Sequence, residues 1–101
     1  MKSEPTTYLE FQESFGRQTP PETWSNLLKT LWYDAKGEWQ NAHELAEALQ
    51  DDLGNWVHAY LHRKEGDTFN AGYWYRCAGK VFPEIDLEVE HRYIFEAIVH
   101  H

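Results

Sequence analysis

The sequence predicts an all-α domain of about six helices, and three observations support this. Apolar residues recur three or four positions apart in most of the chain, which is the spacing of one helix face. Three of these segments are followed by a glycine, at Gly16, Gly37 and Gly66, and glycine is common just after a helix ends. The alternating segment IDLEVE at 85–90 has no second strand to pair with. Because 101 residues suit one small domain, we expect a single domain over residues 1–101.

The composition excludes several classes of partner. The chain has 17 acidic residues against 9 Lys and Arg, a formal net charge of -8, and such a chain repels phosphate backbones. We therefore expect no nucleic-acid partner. The sequence lacks both the roughly 18 apolar residues of a membrane-spanning helix and the apolar run of a signal peptide. We expect a cytoplasmic protein with no membrane partner.

Capping residues and apolar spacing predict the first two helices. A threonine at 6–7 can cap a short helix that stops at Gly16, and its apolar residues are Tyr8, Phe11 and Phe15. Thr19 followed by Pro20 is typical of an N-cap with proline in the first turn. This second helix should end at Gly37, and its apolar face should contain Trp24, Leu28, Leu31 and Ala35.

The middle of the chain predicts two further helices with a break between them. EWQNAHELAEAL at 38–49 has high helix propensity, and DDLG at 51–54 is expected to interrupt it. NWVHAYLHRK at 55–64 ends in cationic residues, which suit the negative end of a helix dipole. Gly66 should stop this helix, and Asp67 should cap the next one.

The last two helices follow from a dense aromatic segment and a periodic tail. TFNAGYWYRCAGKVF at 68–82 is apolar nearly all round, which predicts a helix contacted on two sides. Cys77, the single cysteine, should be buried there. After Pro83, helical spacing predicts a final helix through Leu87, His91, Ile94 and Ile98. We expect this helix to cover the outer side of Phe69, Trp74 and Cys77.

A short pattern occurs twice: glycine, an acidic residue, two residues, then Asn-Ala. Gly37 and Gly66 are 29 residues apart, as are Asn41 and Asn70, and stacked helical repeats recur every ~20–50 residues. The second unit resembles a tetratricopeptide repeat in Ala59, Gly66, Ala71, Tyr75, Ala78 and Pro83. The block HAYLHRKEGDTFNAGYWY is also similar to a group of small uncharacterised bacterial proteins.

The tetratricopeptide resemblance implies two helix-turn-helix units, at about 20–50 and 53–80, flanked by an N-terminal helix and a C-terminal capping helix. It also implies a peptide groove lined by Trp56, Tyr60 and Arg63, and aromatic and Arg residues dominate binding hot spots. The matching surface of the first unit would be Leu27, Leu31 and Asp34. We therefore expect a non-enzymatic protein- or peptide-binding or scaffold module without a cofactor. Homodimerisation through exposed aromatic residues is a version of this hypothesis.

A histidine pair gives the alternative hypothesis, a small metal-dependent or acid-base enzyme centred on His58, His62 and Glu65. His58 and His62 are four residues apart, as in zinc-binding helical pairs. A third ligand would have to be His43, Glu65 or His91, and the sequence does not place any of them. The competing interpretation, which the sequence favours, is that both histidines are core residues, hydrogen-bonded to groups such as Asn70, Tyr73 or Tyr75.

Overall fold

The computed structural model describes residues 4–100, which contain six α-helices and no strand. The predicted all-α class with about six helices is therefore confirmed. None of the helices in this range is long and apolar enough to cross a membrane. A 3-10 turn, Ser14–Gly16, follows the first helix. The helices are α1 (Tyr8–Glu13), α2 (Asn26–Ala35), α3 (Trp39–Glu47), α4 (Asp52–Lys64), α5 (Thr68–Cys77) and α6 (Leu87–Val99).

Side-chain caps set where four of the helices begin. In each, the capping side chain accepts a hydrogen bond from the backbone N–H three residues later, at Thr7, Ser25, Asp51 and Asp67. A cap of this kind contributes about 1 kcal/mol to helix stability. The predicted caps at Thr7 and Asp67 are confirmed, because both residues offer a short side-chain oxygen directly before an apolar helical segment.

The start of α2 lies later than predicted. Its N-cap is Ser25, whereas the sequence predicted Thr19 followed by Pro20. A residue that precedes proline is disfavoured in the helical conformation, and both Thr19 and Pro20 precede a proline. These residues therefore stay in the connection between Gly16 and Ser25. Trp24 packs into the core from outside the helix.

The start of α4 lies earlier than predicted. Asp51 caps this helix, so the DDLG segment begins α4 instead of interrupting two helices, and the break falls at residues 48–51. Gly54 lies inside α4, where an added Cβ would overlap the backbone of Leu49. Glycine therefore allows the α3–α4 connection to lie directly against α4.

The same turn joins α2 to α3 and α4 to α5. Gly37 and Gly66 have φ of 80° and 90°, the left-handed conformation that glycine adopts without strain. In both turns, the residue after the glycine donates its N–H to a carbonyl five residues back, from Glu38 to Tyr33 and from Asp67 to His62. This is the Schellman arrangement. The 29-residue repeat therefore marks two copies of one turn, each between helices that pack together.

The position of α6 corrects the prediction for the end of the chain. The helix itself is confirmed, but it packs mainly on α4, α2 and α1, so the expectation that it covers α5 is wrong. Phe69 is 84% exposed, and Cys77, predicted to be buried, is exposed. The helix instead packs its apolar face into the core with α1, α2 and α4, and it also buries Glu90, a carboxylate that must sit beside donors. Two of its donors, Trp56 and Arg63, lie on α4.

Candidate functional site

Three histidines meet between α3 and α4. His43 lies on α3, while His58 and His62 lie one turn apart on α4, so their side chains leave that helix in the same direction. One nitrogen from each ring lies within 4.8 Å of the other two. The packing of α3 on α4 therefore brings His43 next to the histidine pair predicted from the sequence. His43 was one of the three candidates for a third ligand. We call His43, His58 and His62 the histidine cluster.

One distance within the histidine cluster is close to that between two ligands of a metal ion. The Nε2 atoms of His43 and His58 are 3.2 Å apart. Zinc binds imidazole nitrogens at ~2.0–2.1 Å in tetrahedral geometry, which separates two such nitrogens by roughly 3.3–3.4 Å. The same separation permits a hydrogen bond in which one neutral ring donates to the other. His43 and His58 can therefore hydrogen-bond to each other in the metal-free protein, at a distance close to one edge of a zinc tetrahedron.

Two indole rings form walls around the histidine cluster. Trp39 stacks on His43 with ring centroids 4.7 Å apart, and Trp74 stacks on His58 at 4.0 Å. The Trp39 Nε1–H donates to the carbonyl of Leu61 at 2.8 Å, which holds that indole against α4. Aromatic stacking of this kind restricts the rotation of the imidazoles, so the cluster is held in place by side chains from α3 and α5.

Burial controls the protonation of His58. The residue is 5% exposed, and loss of hydration, together with the nearby rings of His43 and His62, lowers the pKa of His58 to about 4. At neutral pH this imidazole is uncharged and keeps a lone pair on one nitrogen. A neutral imidazole is the form that binds a metal ion.

The turn after α4 places two carboxylates beside His62. The Nδ1 atom of His62 is 2.8 Å from a carboxylate oxygen of Glu65 and 3.9 Å from one of Asp67. Glu65, predicted as a candidate metal ligand, thus contacts a histidine of the cluster directly. His62, Glu65 and Asp67 also form a second group whose ligand atoms lie within 4.8 Å of one another.

The hydrogen-bond partners predicted for the two histidines are wrong. Asn70 instead donates to Asp67 at 2.6 Å, because it lies in the first turn of α5 next to that cap. Tyr75 donates to Glu90 at 2.5 Å, and Tyr73 is half exposed. His91, another candidate for the third ligand, lies elsewhere in the core. Its ring contacts the Tyr8 hydroxyl at 2.8 Å and the Leu31 carbonyl at 3.2 Å.

The residues predicted to bind a partner make contacts inside the chain. Trp56 donates to Glu90 at 3.0 Å, and Arg63 donates to the same carboxylate at 2.7 Å and to the carbonyl of Ile85. Tyr60 is 2% exposed, and its hydroxyl donates to Asp34 at 3.0 Å. The face expected to form an open groove is therefore occupied by α6. The sequence did not place α6 there, because this contact joins residues far apart in the chain.

Asp34, expected on the groove surface of the first unit, is instead 2% exposed and is the centre of a polar group that the sequence did not predict. Its buried carboxylate accepts hydrogen bonds from Tyr60 and from Lys64, the latter at 2.9 Å, and lies 3.5 Å from the His91 ring. These side chains line a cavity of about 410 Å³ between α1, α2, α4 and α6. Burial and the Asp34 charge raise the pKa of Tyr60. The sequence signal for this polar group was Asp34 itself, an acidic residue three positions after Leu31 on the apolar face of α2.

The fold and the site define a class: an all-helical domain that holds three histidines between two of its helices. No family model, curated protein or solved structure matches the chain.

Proposed function

We propose that this protein binds a first-row transition metal ion, most favourably zinc, through His43, His58 and His62. The observation that carries the proposal is the convergence of one nitrogen from each ring to within 4.8 Å. Imidazole is a preferred ligand of zinc, copper, iron and nickel. The 3.2 Å separation of the His43 and His58 Nε2 atoms is close to an edge of a tetrahedral zinc site, so zinc is the ion to test first.

The number of ligands supports a chemical rather than a purely structural role. Structural zinc sites have four protein ligands, whereas catalytic ones have three and keep a position for water or substrate. A bound zinc ion lowers the pKa of its water to ~7 and polarises carbonyl or phosphoryl oxygens. Metal-assisted hydrolysis is therefore the reaction class that this site would support, in agreement with the enzyme hypothesis drawn from the histidine pair.

The peptide-binding hypothesis has less support from the geometry. Trp56, Tyr60 and Arg63 donate hydrogen bonds to Glu90 and Asp34, so their polar groups are already paired within the chain. Phe69 and Tyr73 are exposed on α5, and homodimerisation through them stays a prediction. The tetratricopeptide likeness and the cytoplasmic location also stay predictions.

The proposal is tested by zinc titration of protein made without an affinity tag and stripped with a chelator. We expect one zinc ion per chain by elemental analysis. Since loss of a residue that merely supports a ligand costs ~10–100-fold in affinity, we expect His43→Gln, His58→Gln and His62→Gln each to weaken binding by at least ~100-fold.

His100→Gln is the matched control, because His100 is exposed at the end of α6 and pairs with Glu96 at 3.1 Å. This variant should bind zinc as the natural protein does. Circular dichroism verifies that each variant remains helical. Zinc well below one equivalent in the natural protein, or full zinc in the cluster variants, would overturn the proposal.

A further inference from the structure

Glu65 makes the closest carboxylate contact to the histidine cluster. Its oxygen lies 2.8 Å from Nδ1 of His62, a short distance for a hydrogen bond between an imidazole N–H and a carboxylate. An ionised carboxylate only accepts hydrogen bonds, and a neutral imidazole has a single N–H. In its neutral form, His62 therefore carries its hydrogen on Nδ1 and its lone pair on Nε2.

We infer that Glu65 is a positioning residue for the proposed metal site, fixing the tautomer and orientation of His62 so that Nε2 is the ligand nitrogen. The inference rests on the proposed function. Histidines that bind metals almost always donate their other N–H to a carboxylate, a carbonyl or water, which orients the ring and raises its basicity. Glu65 thus supports a ligand, although the sequence suggested it as a ligand itself.

The end of α4 holds Glu65 in this position. Glu65 is the C-cap of the helix, with φ -81° and ψ -2°, and its N–H bonds to the Leu61 carbonyl at 3.1 Å. A residue three positions after His62 lies on the same side of the helix. Gly66 reverses the chain immediately afterwards, with φ 90°. The carboxylate is therefore attached to backbone that the helix end has already ordered.

Asp67 provides a control within the same turn. Its carboxylate accepts from the Asn70 N–H at 3.2 Å and from the Asn70 side chain at 2.6 Å, so capping α5 accounts for its position. These hydrogen bonds lower the pKa of Asp67. It lies 3.9 Å from the His62 ring, beyond hydrogen-bonding distance. Since asparagine is also a good N-cap, Asp67→Asn removes the nearby charge and keeps the helix start.

The experiment measures zinc affinity and the His62 tautomer in four proteins: the natural chain, Glu65→Ala, Glu65→Gln and Asp67→Asn. Glu65→Ala should bind one zinc ion ~10–100-fold more weakly. Glu65→Gln should lose less affinity, because its amide oxygen still accepts from Nδ1–H. Asp67→Asn should lose less affinity than Glu65→Ala, because the Asp67 carboxylate lies 3.9 Å from the His62 ring, beyond hydrogen-bonding distance.

The second readout separates positioning from general destabilisation. Long-range ¹H–¹⁵N spectra of the metal-free protein should show His62 with its hydrogen on Nδ1, and Glu65→Ala should shift the ring toward a mixture of tautomers. Thermal unfolding of the same samples identifies any loss of affinity that comes from loss of fold.

The failure of this inference is distinguishable from that of the metal site. If Glu65→Ala binds zinc as tightly as the natural protein and keeps the same tautomer, the positioning role is wrong while the metal site stands. If Glu65→Ala loses the zinc ion entirely, Glu65 is a ligand and the positioning role is again wrong. If the natural protein takes up no zinc, the proposed function fails and this role fails with it.

Discussion

Replacing Arg63 with methionine should destabilise the fold strongly, because it leaves the buried Glu90 without its cationic partner. The side chain of Glu90 is 1% exposed, and the Arg63 guanidinium lies 2.7 Å from its Oε1. Removing one member of a buried ion pair typically costs ~3–5 kcal/mol. The Arg63 side chain is 17% exposed, so water can partly replace it.

The expected loss is therefore near the lower end of that range, about 3 kcal/mol. In a domain of this size, 1 kcal/mol corresponds to roughly 4–8 °C in Tm, so the melting temperature should fall by ~12–24 °C. Urea denaturation followed by circular dichroism measures the free energy of unfolding directly. Arg92→Met is the matched control on α6, since Arg92 is 64% exposed and 4.0 Å from Glu96. It should change stability by less than ~1 kcal/mol.

A second substitution tests whether charge is the cause. Glu90 also accepts hydrogen bonds from Trp56 at 3.0 Å and Tyr75 at 2.5 Å. Glutamine at position 90 keeps an oxygen for these donors and removes the charge. The Arg63→Met, Glu90→Gln protein should therefore be more stable than Arg63→Met alone. A loss below ~1 kcal/mol in Arg63→Met, or no recovery in the double variant, would refute the reasoning and return Arg63 to its predicted role in partner binding.

Two further predictions concern pH and packing. Burial lowers the pKa of His91 below its usual 6.5, against the opposing effect of Asp34, and also lowers that of His58. The unfolded chain therefore binds these protons more readily than the folded one, so stability should be fully present above about pH 6.5 and fall as the pH drops below it. Urea unfolding at pH 7.5 and 5.5 checks this, and equal stabilities would contradict it. Gly54→Ala should cost ~1–3 kcal/mol by overpacking, because its Cβ would overlap the backbone of Leu49; a higher melting temperature would show that the α3–α4 connection yields.

Local sequence determined much of the fold. The α4–α5 connection shows why: Gly66 supplies the positive φ and Asp67 the cap, and both act on residues within five positions. Local signals gave a wrong helix start where two of them opposed each other. Thr19 is a good capping residue, but the proline pair that follows opposes a helix there, and α2 begins at Ser25 instead.

Local spacing also placed two of the three histidines of the candidate site. The spacing of His58 and His62 placed both rings on one side of α4, since four residues make about one helical turn. Their third companion was named only as one of three residues. His43 joins them because α3 packs on α4. His91 has the same imidazole group, but its ring hydrogen-bonds to Tyr8 and Leu31 in the core.

The sequence by itself determined the helical class, the glycine turns and the histidine pair, because hydrogen bonds and side-chain spacing within a few residues decide them. Only the tertiary structure decided which elements meet. The buried carboxylate of Glu90 needs donors, and Arg63, 27 positions away, and Trp56 supply them. Together with the apolar face of α6, which is buried in the main core, these hydrogen bonds hold α6 on α4 beside the side chains expected to line the peptide groove. Contacts at such separations depend on the packing of the whole core, which no local pattern specifies.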